Sequence, residues 1–529
     1  MKGNAFKYIF IVFVIGLISF AGYKIYNDEK NNQTQNETAA DEPKTTIVKD
    51  IRLAIAGFDT INPLLSNNYN VQDISKLVFE PLLTVNQNYK IEAVLAKEWS
   101  RTGDTSYIIK LKDNVKWQDG TEFTAYDVEF TIDVLKQIQS IYSYNVQNIV
   151  GVDVIDKNTL KINLDAPRAF FEYNLIFPIL SKTYYQTEDV FNRDKSKKSL
   201  GTGMYYIASV DSNLITLKKN RNWWNDNPLE IETVNISLFD SMGEVYNSFK
   251  MGNIDLITTR SLNYEEYIGT IGFSTKEYKG REHDFIAINS SHNILSKTEV
   301  RKAISYCIDK NAINANVYAG RYDIVDFPIA DSYLYTAENP SAGYNPEQAK
   351  QVLLDNGWEY KYSNWQKIEN YRTLRLSFNL VVNSSDEKRC QAAEVIKENL
   401  SQIGIKLNIV KVSDNQYNNY LERKNYEMIL TGTTTGVSPD MSYYFGEDNL
   451  GSYTNAEVTT ILNDLRNIND EKLLKEKYKK LYEIYKNEAP YISLYFNKNV
   501  LLYSSNLRGE ITPNNYNIFY NLDKWYREY

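Results

Sequence analysis

Lys110 to Phe130 reads KLKDNVKWQDGTEFTAYDVEF, and this stretch passes from strand to turn to helix. Its start completes the alternation Tyr107, Ile109, Leu111 in TSYIIKLK, the alternate-residue period of a half-buried strand. Asp119-Gly120 supplies a turn. Thr124 then predicts a helix cap, with Asp127 three residues on and Ala125, Val128, Ile132 and Leu135 on one face. Downstream, Leu160, Ile162 and Leu164 alternate again in NTLKINL. Short strands and amphipathic helices are mixed, so the fold class is α/β.

The same grammar continues toward the C-terminus. Ser296 and Glu299 form a capping-box pattern before Val300, Ala303, Ile304, Cys307 and Ile308. Cys307 lies on that apolar stripe and reads as a small core residue. Asn345-Pro346 opens a helix with Ala349, Val352 and Leu353 inside and Gly357 at its end. Ser384 and Glu387 open another, whose face is Ala392, Ala393, Ile396, Leu400 and Ile403, with Gly404 closing it and the strand LNIV following. Leu474, Tyr478, Leu481 and Tyr485 mark a long helix, after which YISLYF and NVLLY read as two strands returning to an earlier sheet.

Composition narrows the function classes. The chain has 529 residues, 59 Lys+Arg and 67 Asp+Glu, a formal net charge of −8, which disfavours binding to nucleic-acid phosphates. Two cysteines cannot build a disulfide framework or a Cys-based zinc site. Two histidines, His283 and His292, leave little for His-dependent catalysis, and no GxSxG elbow supports a hydrolase. The expectation is a non-enzyme without cofactor or metal, with the histidines in hinge or surface roles. The 43 tyrosines and 7 tryptophans suit contact surfaces. The pair Trp223-Trp224 reads chiefly as packing, with a ligand platform as the alternative.

Lys2 and Lys7 precede the uncharged run Tyr8 to Tyr23, which predicts an N-terminus held in the cytoplasm and a body exported across the membrane. Residues 1–26 are read as a membrane anchor, with cleavage after Ala21 as the competing reading. Residues 27–46, NDEKNNQTQNETAADEPKTT, cannot bury a core and read as a flexible tether.

LAKEWS, the stretch quoted first, GTGMY at Gly201–Tyr205, RNWW at Arg221–Trp224, FKMGNIDL at Phe249–Leu256, FIAINSS, EVRKAISYCIDK, YNPEQAKQVLLDNGW and EAPYISLYF follow one another in this order. In that series the chain resembles the extracellular solute-binding proteins of family 5, the oligopeptide- and dipeptide-binding components of ABC importers. The resemblance implies a two-lobed periplasmic-binding-protein-like α/β fold of type II with an extra subdomain on the first lobe. It places lobe one at 47–70, 181–279 and 490–529, the subdomain at 71–180, and lobe two at 280–489. It implies a monomer that encloses a peptide or peptide-like ligand between the lobes and delivers it to ABC permease subunits. A ligand-sensing protein on the same fold, or a binder of a glycan or metal chelate, is the alternative.

The resemblance also implies the site. The polar-aromatic loop with Asn62, Asn68, Tyr69 and Asn70 matches the segment where the first lobe meets ligand. The loop with Thr433, Thr434, Thr435, Gly436, Ser438 and Asp440 matches the lobe-two segment that in peptide binders reads W-x-G-D-x-x-D-P, whose first Asp pairs with the peptide α-amine. Aligned on Pro439, Thr435 stands at that Asp and Ser438 at the second. A hydroxyl cannot neutralise an ammonium. Asp440 is an alternative acceptor or the cap of the helix beginning MSYYF.

Overall fold

The computed structural model describes residues 46–269, 272–329, 332–335 and 343–529; the expected anchor and all but the last residue of the expected tether lie outside them. Among the described residues no helix is long and apolar enough to cross a membrane. Thr46 and Tyr529 exchange backbone hydrogen bonds of 3.0 and 3.1 Å. Lys49–Arg527 is a separate unit, and the rest of this section concerns it.

The sequence alternations become paired strands. Ser106–Leu111 and Thr159–Leu164 run antiparallel, Tyr107 opposite Ile162 and Ile109 opposite Leu160. Ala96–Gly103 and Ile149–Asp156 complete a four-stranded sheet. Helix Ala125–Gln137 packs on Ile149–Asp156. Its capping box is present, Asp127 Oδ2 accepting the Thr124 N–H at 2.8 Å, and Val128, Ile132 and Leu135 are buried. A second four-stranded sheet joins Asp50–Ala56, parallel to Thr233–Phe239, with Leu214–Lys219 and Tyr205–Val210. One hydrophobic core unites both sheets, from Ile51 through Ile109 and Leu180 to Trp525.

Trp224 packs against this first core, and Trp223 stands beside it with ring centroids 6.1 Å apart. Their indole N–H groups donate to the two oxygens of Glu80, at 3.0 and 2.8 Å, and Thr202 Oγ1 donates at 2.9 Å. Lys112 Nζ lies 3.5 Å from the Trp224 ring centroid. Burial pushes the Glu80 carboxyl above its ordinary range, and the three donors oppose that shift. The packing reading of the two tryptophans therefore holds.

A longer sheet gathers strands from distant parts of the chain. Its order is Leu256–Thr259, Tyr491–Ser504, Phe273–Ile288, Met428–Thr434, Ser377–Asn383, Lys406–Val412. The strands Phe273–Ile288 and Tyr491–Ser504 are antiparallel partners of 16 and 14 residues. YISLYF and NVLLY thus form one strand, where the sequence suggested two. The polar Asn497-Lys498 between them is tolerated because the facing strand bulges there: the register shifts between Lys279 and His283, and Asn497 Oδ1 accepts the Glu282 N–H at 2.9 Å.

Helices in the segment expected as lobe two keep their expected faces while two caps move. Val300, Ala303, Ile304 and Cys307 are buried in helix Thr298–Cys307, but Ser296 is not its cap; the helix starts after Lys297, and Ser296 Oγ donates to Asn293 O at 3.1 Å. Helix Glu387–Gln402 is capped by Asp386, which accepts the Arg389 N–H at 2.9 Å, not by Ser384. Asn345 caps Pro346–Asp355 as expected, accepting the Gln348 N–H at 3.0 Å. Helix Glu471–Glu488 buries Leu474, Tyr478, Leu481 and Tyr485.

Candidate functional site

A cavity of about 720 Å³ opens between the segment expected as subdomain and lobe two. The first wall carries Tyr89, Tyr144, Asn148, Arg168, Phe170 and Asn174; the second carries Arg281, Ile329, Tyr333 and the run Thr433 to Tyr444. Tyr89 and Phe170 have φ of 56° and 55°, a left-handed conformation uncommon for bulky side chains. The cavity falls within the roughly 300–1,000 Å³ of ordinary ligand pockets. Aromatic faces with a few polar groups line it, a surface that suits extended, partly apolar solutes.

Sheet geometry builds the second wall. Thr433 and Thr434 end the strand Met428–Thr434 opposite His283 and Glu282. The chain then turns away but stays tied to the neighbouring strand through Arg281: Thr435 N–H and Oγ1 donate to the Arg281 carbonyl at 2.8 and 3.2 Å, and the Arg281 guanidinium donates to the Thr435 carbonyl. Tyr478 Oη donates to the Pro439 carbonyl from below. Asp440 Oδ1 accepts from Ser442 N–H and Oγ at 2.9 and 2.6 Å, so it orders the entry to helix Ser442–Phe445. Thr433, Thr434, Thr435, Gly436, Ser438 and Asp440 all line the cavity. The Thr435 hydroxyl is spent on a backbone carbonyl.

The loop Asn62 to Asn70 does not line this cavity, so the structure does not bring the two expected loops together there. Asn62 is buried, its amide donating to Val190 O at 3.0 Å and its Oδ1 accepting the Leu64 N–H at 3.0 Å. Asn68 donates to Ala56 O and Gly57 O at 2.7 and 2.8 Å while capping helix Tyr69–Ser75. Asn70 Oδ1 accepts the Ala56 N–H at 3.4 Å. Tyr69 is 80% exposed and stands away from the cavity lining. The physical reason is that these amides satisfy backbone groups of the loop itself and of the segments packed against it.

His283 is not a surface residue. It is fully buried, stacked between Phe285 and Phe496 at centroid distances of 5.0 and 4.7 Å, with Nδ1 2.7 Å from Tyr444 Oη. Burial, aided by the nearby Lys310 ammonium, pushes its pKa down to about 3, so the ring is neutral. His292 Nδ1 accepts the Leu295 N–H at 3.3 Å in a local turn.

Sequence reasoning missed Arg281, Tyr89, Arg168 and Phe170. The charges of Lys279, Arg281 and Glu282 inside a strand-forming run were the available signal for Arg281. The other three stand on the first wall through chain turns that no periodicity marks. Burial lowers the Arg281 pKa, while the Tyr89 phenol beside it opposes the shift.

A family model described as bacterial extracellular solute-binding proteins, family 5 (Middle), matches residues 90–453. The oligopeptide-binding protein AppA of Bacillus subtilis (strain 168) is 24% identical over 88% of this chain and 89% of its own. The glutathione-binding protein GsiB of Salmonella typhi is 24% identical over 87% of this chain and 91% of its own. Among solved structures, the periplasmic murein tripeptide-binding protein MppA in an unliganded open form matches with a TM-score of 0.80 at 18% identity, covering 92% of this chain and 99% of that one.

Proposed function

The chain belongs to the bacterial extracellular solute-binding proteins of family 5, and from that premise we propose that its 720 Å³ cavity encloses a short peptide or peptide-like solute for delivery to an ABC permease. The observation that carries this reading is the placement of the whole loop Thr433 to Asp440 on the cavity wall, facing Tyr89, Arg168 and Phe170. Backbone amides and carbonyls of an extended ligand can pair with such a loop and strand end, and side chains then vary at little cost. Oligopeptide, glutathione and murein tripeptide in the relatives' names support an amide-linked solute. Closure of the lobes follows if ligand binds the closed form better.

The lobe boundaries set out above, 47–70 with 181–279 and 490–529 against 280–489, and the subdomain 71–180, belong to the same proposal. So do a monomer without catalytic activity, and retention at the outer membrane surface by an uncleaved helix within residues 1–26. Native mass spectrometry of the protein purified from its own host tests the central reading. A bound mass that fragments at amide bonds is expected; a solute without amide bonds overturns it.

A further inference from the structure

The two segments that carry the cavity walls touch again away from the cavity, at the corner between helices Ala456–Leu465 and Glu471–Glu488. Arg101, from strand Ala96–Gly103, donates to the carbonyl of Arg466 and to Asn467 Oδ1, the latter at 2.7 Å. Arg466 is the C-cap of the first helix, an end where carbonyls lack intrahelical partners and the helix dipole is negative. The Gly103 and Asp104 carbonyls, both at 2.8 Å, hold the guanidinium from its own side, and 8% of the side chain is exposed. At the start of the second helix Lys90 Nζ donates to Glu471 Oε2 at 2.6 Å. None of Lys90, Arg101, Asn467 and Glu471 lines the cavity.

The contact continues inward as packing. Glu471 and Tyr478 lie about two helical turns apart and so share a face of their helix. The Tyr478 and Phe170 rings meet edge-on with centroids 6.3 Å apart, and Val85, Phe170 and Tyr173 belong to the same buried cluster as Leu474, Tyr478 and Leu481. The Tyr333 N–H donates to the Asn88 carbonyl at 3.2 Å. An exposed ion pair on its own contributes little, so Lys90 and Glu471 are the minor part. Arg101 is the major polar part, because its charge-assisted bonds are shielded and its fork is fixed before the corner arrives. Separating the two walls breaks these bonds, whereas a solute in the cavity need touch none of the four polar residues.

We propose that this corner is a latch: Arg101 and Lys90 on one side, Asn467 and Glu471 on the other, favour the closed arrangement of the walls without solute and so set affinity from outside the cavity. A solute that binds the closed form has an apparent Kd equal to its intrinsic Kd divided by the closed fraction. The solute-free chain is partly closed, and solute completes the closure. The latch rests on reading the cavity walls as parts that move apart, and it holds whatever the chemistry of the solute.

Arg101→Ala with Lys90→Ala breaks the latch from one side, and Asn467→Ala with Glu471→Ala breaks it from the other. Small-angle scattering of the solute-free full chain should give a larger radius of gyration for each pair than for the unmutated protein. The best-retained member of a pentapeptide pool equilibrated with the full chain serves as the probe. Saturated with it, all three proteins should reach the same radius. By calorimetry each pair should bind the probe about tenfold more weakly, the loss of closed fraction read as Kd. All four substitutions together should weaken it by less than about twofold more, because the two pairs remove one set of contacts. A structural role alone would lower Tm and leave the solute-free radius and Kd where they were. An unchanged solute-free radius in either pair overturns the proposal, and so does a combined loss equal to the product of the two. Asn467 and Glu471 are not buried, so the second pair decides the matter if Arg101→Ala fails to fold. Retention of no peptide overturns the peptide reading instead, and the solute-free radii then decide the latch alone.

Discussion

The family resemblance pairs loops 62–70 and 431–440 as two halves of one site, whereas in the structure residues 433–440 line the cavity and residues 62–70 do not. Asn62 and Asn68 turn their amides inward onto Val190, Ala56 and Gly57 carbonyls. In the second loop the neighbouring strand takes over that role: Arg281 and Tyr478 hold the backbone at Thr435 and Pro439, which leaves Thr434, Gly436 and Ser438 to face the cavity. Polar residues in a loop serve a ligand when something else satisfies the loop. Composition alone does not reveal which case holds.

The sharpest way to break this contrast is to fill the cavity from one loop and disable the other. Thr434→Trp, which projects a large ring from the exposed strand end, should weaken binding of the best-retained peptide by about 100-fold, equal to ~2.7 kcal/mol, with little change in Tm. Calorimetry checks it. Asn68→Ala should do the reverse: loss of its cap and of two carbonyl contacts should cost about 2 kcal/mol of stability in denaturant unfolding while affinity stays unchanged. An affinity loss in Asn68→Ala would return the first loop to the site.

Much of the scaffold was legible because it rests on local rules. The capping box at Thr124–Asp127, the Asn345 cap and the stripes ending at Cys307 and Tyr485 depend on near neighbours in sequence. The displaced caps show the limit: Ser384 and Asp386 both offer a capping oxygen, and only the backbone entering the helix chooses Asp386. The first wall was illegible because Tyr89, Arg168 and Phe170 meet lobe two only through tertiary folding. Arg281 escaped notice because its role depends on a bulge set by Asn497, far away in sequence.

His283 sharpens the contrast from the side of the scaffold, since it lies opposite Thr433 on the neighbouring strand. Its folded pKa of about 3 lies below the unfolded value near 6.5, so the unfolded state binds the extra proton. Stability is therefore full above about pH 6.5 and falls as pH drops toward 3, by about 1 kcal/mol per pH unit between 6 and 5. Thermal melting across this range should flatten in His283→Phe. The smallest effect concerns Thr435, whose hydroxyl is occupied by the Arg281 carbonyl. N-acetylated and free-amine forms of one peptide should bind within about twofold, well under 1 kcal/mol. A tenfold preference for the free amine would identify an acid, with Asp440 the first candidate, as its partner.

Solution scattering of the full chain with and without saturating peptide tests the central claim most directly, because enclosure between Tyr89, Arg168 and Phe170 on one wall and Thr433 to Asp440 on the other requires the walls to approach. The radius of gyration should contract on saturation of the unmutated protein, and Thr434→Trp at the same peptide concentration should show no contraction. An unchanged scattering profile, with saturation confirmed by calorimetry on the same sample, would contradict capture between the lobes.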